Sequence, residues 1–129
     1  MSCIGINAYK VIKRDNHEKI GGKMRLKDRL AIVTGGSSGI GRAISITLAS
    51  EGAHVIVSDI DETPKRGKYH EKNTTTPTAE EIIKSGGQGT FLKCDMSDDQ
   101  QIKKLVAKTI DQHKRLDILV NNAGICFTT

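Results

Sequence analysis

Leu30-Ala31-Ile32-Val33-Thr34-Gly35-Gly36-Ser37-Ser38-Gly39-Ile40-Gly41 joins an apolar run to a glycine–serine cluster, and the cluster runs on into a helical pattern. Four apolar residues with no polar interruption suit a strand buried on both faces. Beyond the cluster, Ile40, Ala43, Ile44, Thr47, Leu48 and Glu51 recur at helical spacing, which predicts a helix of about 13 residues with its apolar members on one face. Gly52 is placed as its stop. Ala53 to Ser58 then reads as a second strand closing at Asp59. Strand, helix, strand is a βαβ unit, whose right-handed crossover makes the two strands parallel neighbours.

Downstream, the pattern continues after an interruption. Residues 61–77 offer a core only Tyr69 and are bracketed by Pro64 and Pro77, so they read as a solvated, polar loop. Thr78 with Glu81 predicts a capping box and a short helix ending at Gly86-Gly87. A third strand follows at Thr90 to Cys94, then a second capping box at Ser97-Asp98-Asp99-Gln100. The helix this box opens carries Ile102, Leu105, Val106, Thr109, Ile110 and His113 at helical spacing, with acids at its start and Lys108, Lys114 and Arg115 toward its end, as the helix dipole favours. Leu116 to Val120 is the fourth strand. Upstream, the first 23 residues show neither period and end in Gly21-Gly22, so the folded unit is expected over 24–129, with 1–23 a basic tail that is disordered or outside the fold.

The chain has 129 residues, enough for one domain and one core. Its net charge of +5 is concentrated in residues 1–23, which carry +3, so the remainder is nearly balanced. With only Tyr9, Tyr69, Phe91 and Phe127 as aromatics, it lacks the concentrated basic face and stacking platforms of a nucleic-acid binder. No apolar run approaches the roughly 18 residues that span a membrane, and the start lacks the apolar stretch of a secretory signal, so a cytoplasmic protein is expected. Cys3, Cys94 and Cys126 are too few and too scattered for a disulfide framework or a zinc site, and His17, His54, His70 and His113 show no metal-ligand spacing. No metal site is expected.

Glycines between a strand and a helix allow a tight reversal, a phosphate close to bare backbone, and close packing of helix on sheet. The free N–H groups and positive dipole end of the helix then face that phosphate. A Gly/Ser turn that merely links two elements is the plainer alternative. A P-loop is excluded, because Gly36 to Gly41 is followed by Arg42 and Ala43 where Lys and Ser/Thr are required. The Gly-x-Gly-x-x-Gly fingerprint is excluded as well, the spacing here being Gly35-x-x-x-Gly39-x-Gly41.

Thr-Gly-x-x-x-Gly-Ile-Gly after a first strand resembles the short-chain dehydrogenase/reductase family. Three further landmarks extend the resemblance over about residues 25 to 126: Asp59 closing the second strand, Asp95 after the third, and Asn121-Asn122-Ala123-Gly124 closing the fourth. The resemblance implies an α/β, Rossmann-like doubly wound parallel sheet of strand order 3-2-1-4, truncated after the fourth strand. It also implies roles for particular residues. Gly35, Ser37, Ser38, Gly39, Ile40 and Gly41 would hold the pyrophosphate and adjacent ribose. Asp59 and Ile60 would hold the adenosine ribose, Asp95 and Met96 the adenine, and Asn122, Ala123 and Gly124 the ribose and nicotinamide side. Asp59 opposes a 2′-phosphate, Ile60 is not basic, and no arginine lies between Gly35 and Gly41, so NAD is expected over NADP. A solvated turn acid is the alternative for Asp59; Asp95 could simply bond backbone donors in its own turn, and Asp61 reads as surface.

The family's catalytic serine, tyrosine, lysine and asparagine lie beyond its Asn-Asn-Ala-Gly strand, so no catalytic residue is expected in this chain. Tyr9 and Lys13 have Tyr-x-x-x-Lys spacing but precede the first strand, where service to the site would need a permuted order. The reading is therefore the cofactor-binding half of an NAD-dependent oxidoreductase, a fragment or truncated product inactive alone. The complete protein would act on a small alcohol or carbonyl and assemble as a homo-oligomer. The other reading is a non-catalytic dinucleotide-binding or dimerising module, pairing through an open edge at Leu116 to Val120.

Overall fold

Ile32 and Val33 are adjacent in the chain, face opposite sides of one strand, and are both fully buried. That arrangement requires packed structure on both faces of the sheet. The computed structural model describes residues 7–8, 24–65 and 74–124. Its elements in chain order are β1 (Asn7–Ala8), β2 (Leu30–Thr34), α1 (Gly39–Ser50), β3 (His54–Asp59), α2 (Thr78–Lys84), β4 (Gln88–Lys93), α3 (Asp99–His113) and β5 (Ile118–Asn121).

The sheet order is β1-β5-β2-β3-β4, and β2 to β5 run parallel. Numbered among themselves, these four strands stand in the expected order 3-2-1-4. Register is set by full pairing of β2 on β3, Leu30 opposite His54 through Thr34 opposite Ser58. β1 is antiparallel to β5, with Asn7 opposite Asn121 and Ala8 opposite Val120. Two residues of the segment expected outside the fold thus take up part of the edge that the sequence left unpaired. The rest of 1–23, including Tyr9 and Lys13, lies outside the described residues, as do 66–73 of the polar loop and 125–129.

On one face, Ala31, Val33, Val55 and Val57 pack with Ala49 of α1 and with Ala79 and Ile82 of α2. On the other, Leu30, Ile32 and Ile56 pack with Leu105 of α3 and with Cys94. Each fully buried Ile or Val contributes about 1.5–3 kcal/mol relative to its exposed state, which is how so few large residues support two layers of helix. No helix among the described residues is long and apolar enough to cross a membrane.

Several local expectations shift. Ile40, placed by periodicity on the core face of α1, is 62% exposed. The buried line of α1 is Gly41, Ser45 and Ala49, four residues apart, so the helix seats its smallest side chains against the sheet and comes close to it. Thr78 does not cap α2; the N-cap is Pro77, and the Thr78 hydroxyl donates instead to the Gly36 carbonyl at 2.8 Å. For α3 the cap is Asp98 rather than Ser97, its carboxylate accepting the Gln100 N–H at 2.9 Å. Gly52, at φ +96°, ends α1 as expected.

At the end of the sheet where β2 and β5 begin, Asp117 is buried. It accepts the Leu30 N–H at 2.9 Å and a two-pronged contact from Arg115 at 2.6 and 2.7 Å, with Arg29 at 3.6 Å. The Arg115 guanidinium, reinforced by the Leu30 amide and Arg29, holds its carboxyl down to about 2 against the opposing effect of burial. At the same end the His54 and His113 rings meet edge to face at 4.6 Å, and His54 Nε2 lies 2.9 Å from the Thr90 hydroxyl. Burial, and then His113, lowers the His54 pKa.

Candidate functional site

The parallel strands all end on one side of the sheet: Thr34, Asp59, Lys93 and Asn121 are their last residues. After β2 the chain crosses toward β3 over one face, and later returns to β5 over the other, so the crevice between β2 and β5 is the topological switch point where ligands of open α/β sheets sit. Thr34-Gly35 and Asn121-Asn122 meet there.

Thr34 is the joint. Its buried hydroxyl oxygen accepts the N–H groups of Asn122 and Ala123, each at 3.0 Å, and its hydrogen is directed at the Val120 carbonyl at 3.3 Å. Both lone pairs and the proton are used, so this one side chain fixes the exit of β5 against the exit of β2. Asn122 Nδ2 donates to the Gly35 carbonyl at 3.3 Å, and this closes the contact from the other side.

The glycines are required by space as well as by φ. Gly35 and Gly39 adopt φ +66° and +56°, in the left-handed region. At Gly41 an added Cβ would run into the Gly35 carbonyl oxygen and stand 2.5 Å from Asn122 Nδ2. A side chain on α1 at that point would therefore push the helix off both the turn and the end of β5.

Asp59 closes the turn from the β3 side. Its Oδ2 accepts the Ser37 N–H at 3.1 Å and its Oδ1 the Ile60 N–H at 2.8 Å. Gly36 N–H donates to the Ser58 carbonyl at 3.1 Å. Ser38 occupies the N-cap position of α1 but makes no side-chain bond to the helix amides; its hydroxyl accepts the Lys65 N–H at 2.6 Å. The Ser37 hydroxyl is buried and has no partner among the described residues. Ile40 and Ile60, 62% and 51% exposed, leave apolar surface on the rim.

Gly35, Ser37, Ser38, Gly39, Ile40, Gly41, Asp59, Ile60, Asn122 and Ala123 are thus brought around one turn, with exposed Gly124 continuing from it. Asp95 and Met96 stand further along the sheet rim, joined to it by the Cys94 N–H on the Asp59 carbonyl at 2.9 Å. Asp95 Oδ1 is engaged by the Ser97 hydroxyl and N–H at 2.7 and 2.9 Å, which lower its pKa. Met96 packs on the α3 face, its sulfur 3.8 Å from the Cys94 thiol. Asp61 accepts the Thr63 N–H in a surface turn.

Sequence reasoning missed four contributors: the Thr34 hydroxyl as a joint, the Lys65 amide, Thr78, and Arg42, whose guanidinium reaches the Thr76 carbonyl at 2.7 Å and Thr78 Oγ1 at 3.1 Å. Their partners are 27 to 89 residues away, beyond any local pattern.

The family model described as short chain dehydrogenase matches residues 29–129. The chain belongs to the short-chain dehydrogenase family. Within that family it is 39% identical to a 3beta-hydroxysteroid dehydrogenase of Mediterraneibacter gnavus, over 78% of this chain and 33% of that enzyme. It is 38% identical to the 7alpha-hydroxysteroid dehydrogenase of Escherichia coli, over 78% of this chain and 36% of that one. Among solved structures, a metagenomic short-chain oxidoreductase in complex with NADP superposes with TM-score 0.65 at 36% identity, covering 78% of this chain and 41% of its own. A short chain dehydrogenase from Mycobacterium smegmatis gives 0.67 at 29%, covering 85% and 42%. The chain spans about a third of the length of the curated family members it matches.

Proposed function

We propose that this chain supplies the cofactor-binding part of an oxidoreductase that moves hydride between NAD(H) and an alcohol or carbonyl carbon of a small molecule. The observation that carries this is the close approach of Gly41 to Gly35 and Asn122, which leaves bare backbone where a pyrophosphate would lie. The residues present fit the group. The opening amides of α1 receive no side-chain cap from Ser38, a buried Ser37 hydroxyl lies unpartnered in the turn, and exposed Ile40 and Ile60 offer flat apolar surface. When bound, the nicotinamide supplies the hydride chemistry, and the protein supplies position and electrostatics.

In this reading Gly35, Ser37, Ser38, Gly39, Ile40 and Gly41 hold the pyrophosphate and adjacent ribose, and Asp59 and Ile60 the adenosine ribose. Asp95 and Met96 border the adenine, and Asn122, Ala123 and Gly124 the second ribose. Asp59 favours NAD, because a carboxylate at the ribose repels a 2′-phosphate and Ile60 offers it no countercharge. The NADP held by the metagenomic relative makes this the point to test. The complete protein is read as a homo-oligomer, and hydroxysteroids, named in two relatives, are the first substrates to try on it.

The test is calorimetric titration of NAD into the wild-type chain and Asp59→Ala. Micromolar binding that weakens about tenfold in the variant is expected, the loss of one charge-assisted bond. Equal affinity in both proteins would remove Asp59 from the site.

A further inference from the structure

An N-cap serine ordinarily turns its oxygen onto the second or third amide of its helix. Ser38 has the extended backbone of an N-cap, φ −145° and ψ 160°, yet makes no such bond. Its oxygen is held by the Lys65 N–H at 2.6 Å, from a residue 27 positions on in the connection between β3 and α2. That connection is fastened to the turn at its far end too, through Arg42 on the Thr76 carbonyl and through the Thr78 hydroxyl on the Gly36 carbonyl. Lys65 at the near end of that connection, and Thr76 and Thr78 at its far end, are thus each bonded to the turn or to the first turn of α1.

We propose that the Lys65 backbone N–H is a positioning group of the dinucleotide site: by holding the Ser38 oxygen it keeps that side chain from capping α1. This rests on the reading of the turn as a dinucleotide cradle. A serine hydroxyl has one hydrogen to give and an oxygen that accepts. With Lys65 donating to the oxygen, the hydrogen is left for a phosphate or ribose oxygen, and the first-turn amides of α1 stay open to the same anion. Without that contact the hydroxyl swings onto the amides, and both contributions are lost together. The Lys65 side chain takes no part; its backbone does.

Two measurements on the full chain test this. The first needs no cofactor: hydrogen exchange at the Lys65 amide should be slow in the wild type and about tenfold or more faster in Ser38→Ala, since one hydrogen bond is removed. Fast exchange in the wild type overturns the proposal, whatever NAD does. The second is NAD affinity in a cycle of Lys65→Pro, Ser38→Ala and the double variant, with Lys65→Ala as reference. Lys65→Ala should bind as the wild type does. Lys65→Pro, which lacks the N–H, should bind about tenfold more weakly, and proline should cost nothing further once Ser38 is alanine. An equal loss from proline in both backgrounds, or none in either, overturns the positioning role. Slow Ser38-dependent exchange with no NAD binding by the wild type would overturn the dinucleotide reading, and with it Lys65 as a cofactor-positioning group, while the contact itself stands.

Discussion

Asp59 Oδ2 accepts the Ser37 N–H at 3.1 Å, so the last residue of β3 braces the turn that follows β2. On the proposed function the same carboxylate would also meet the adenosine ribose, so its loss would touch both the turn and the binding. Asp59→Asn keeps an oxygen for one amide and should preserve the thermal transition better than Asp59→Ala. Both variants should relax discrimination against NADP, because the repelling charge is gone. Melting curves with and without each nucleotide separate the bracing from the binding role.

Gly41→Ala should destabilise the protein by about 3 kcal/mol, since the new Cβ meets the Gly35 backbone carbonyl, which cannot turn aside, as well as the Asn122 side-chain amide. Gly86→Ala is the comparison: φ is +87° but the site is open, so a backbone cost of about 1 kcal/mol is expected. Chemical denaturation of both variants reads the difference, and equal losses would mean that the crowding at Gly41 is relieved by movement of the helix.

Thr34→Val keeps shape and burial but removes the acceptor for the Asn122 and Ala123 amides. A loss of about 2 kcal/mol is expected, with most of it absent in Thr34→Ser. Unfolding midpoints for the two variants check this.

Acid sensitivity follows from Asp117. Its carboxyl is held down to about 2 in the fold, so its stabilising contribution is present above the ordinary carboxylate range and is lost as pH falls toward 2. After discounting for the half-exposed Arg115, that contribution is about 2 kcal/mol. Asp117→Asn should lower stability at pH 7 and flatten its decline between pH 5 and 2, as read by urea midpoints.

His54 acts in the other pH window. Its lowered pKa means that the unfolded chain takes up the proton first, so stability is fully present above the ordinary histidine value of 6.5 and falls as pH drops through it. His54→Gln, which can still reach Thr90, should flatten midpoints between pH 7.5 and 5.5. An unchanged slope would mean that His54 titrates alike in both states.

The parts of the fold legible in the sequence are those written locally. An apolar run before a glycine cluster marked β2 and the start of α1, and spacing set this turn apart from the P-loop and the Gly-x-Gly-x-x-Gly fingerprint. The parts not legible depend on partners far along the chain. Thr78 has a cap signature, but the Gly36 carbonyl, 42 residues earlier, takes its hydroxyl. Asp117, read only as part of the fourth strand, is buried just before β5 because Leu30, 87 residues before it, supplies an amide to its carboxylate. Periodicity placed Ile40 inward because it counts apolar residues, whereas the buried line of α1 is Gly41, Ser45 and Ala49, with Ile44, Ile46 and Leu48 packed beside it and Ile40 at the exposed start of the helix. Chain position singled out Gly35, Asp59 and Asn122, but the bonds that hold them about one turn, through the Thr34 hydroxyl, the Ser37 amide and the Asn122 amide on the Gly35 carbonyl, link residues 22 to 88 positions apart.

Everything proposed for this chain rests on its glycine turn forming a dinucleotide cradle in which Asp59 selects NAD. Parallel calorimetric titrations of the wild-type chain with NAD and with NADP test it most directly. NAD should bind saturably and at least about tenfold more tightly than NADP, the cost of setting a 2′-phosphate against Asp59. No binding of either nucleotide, or NADP binding as tight as NAD, would contradict it.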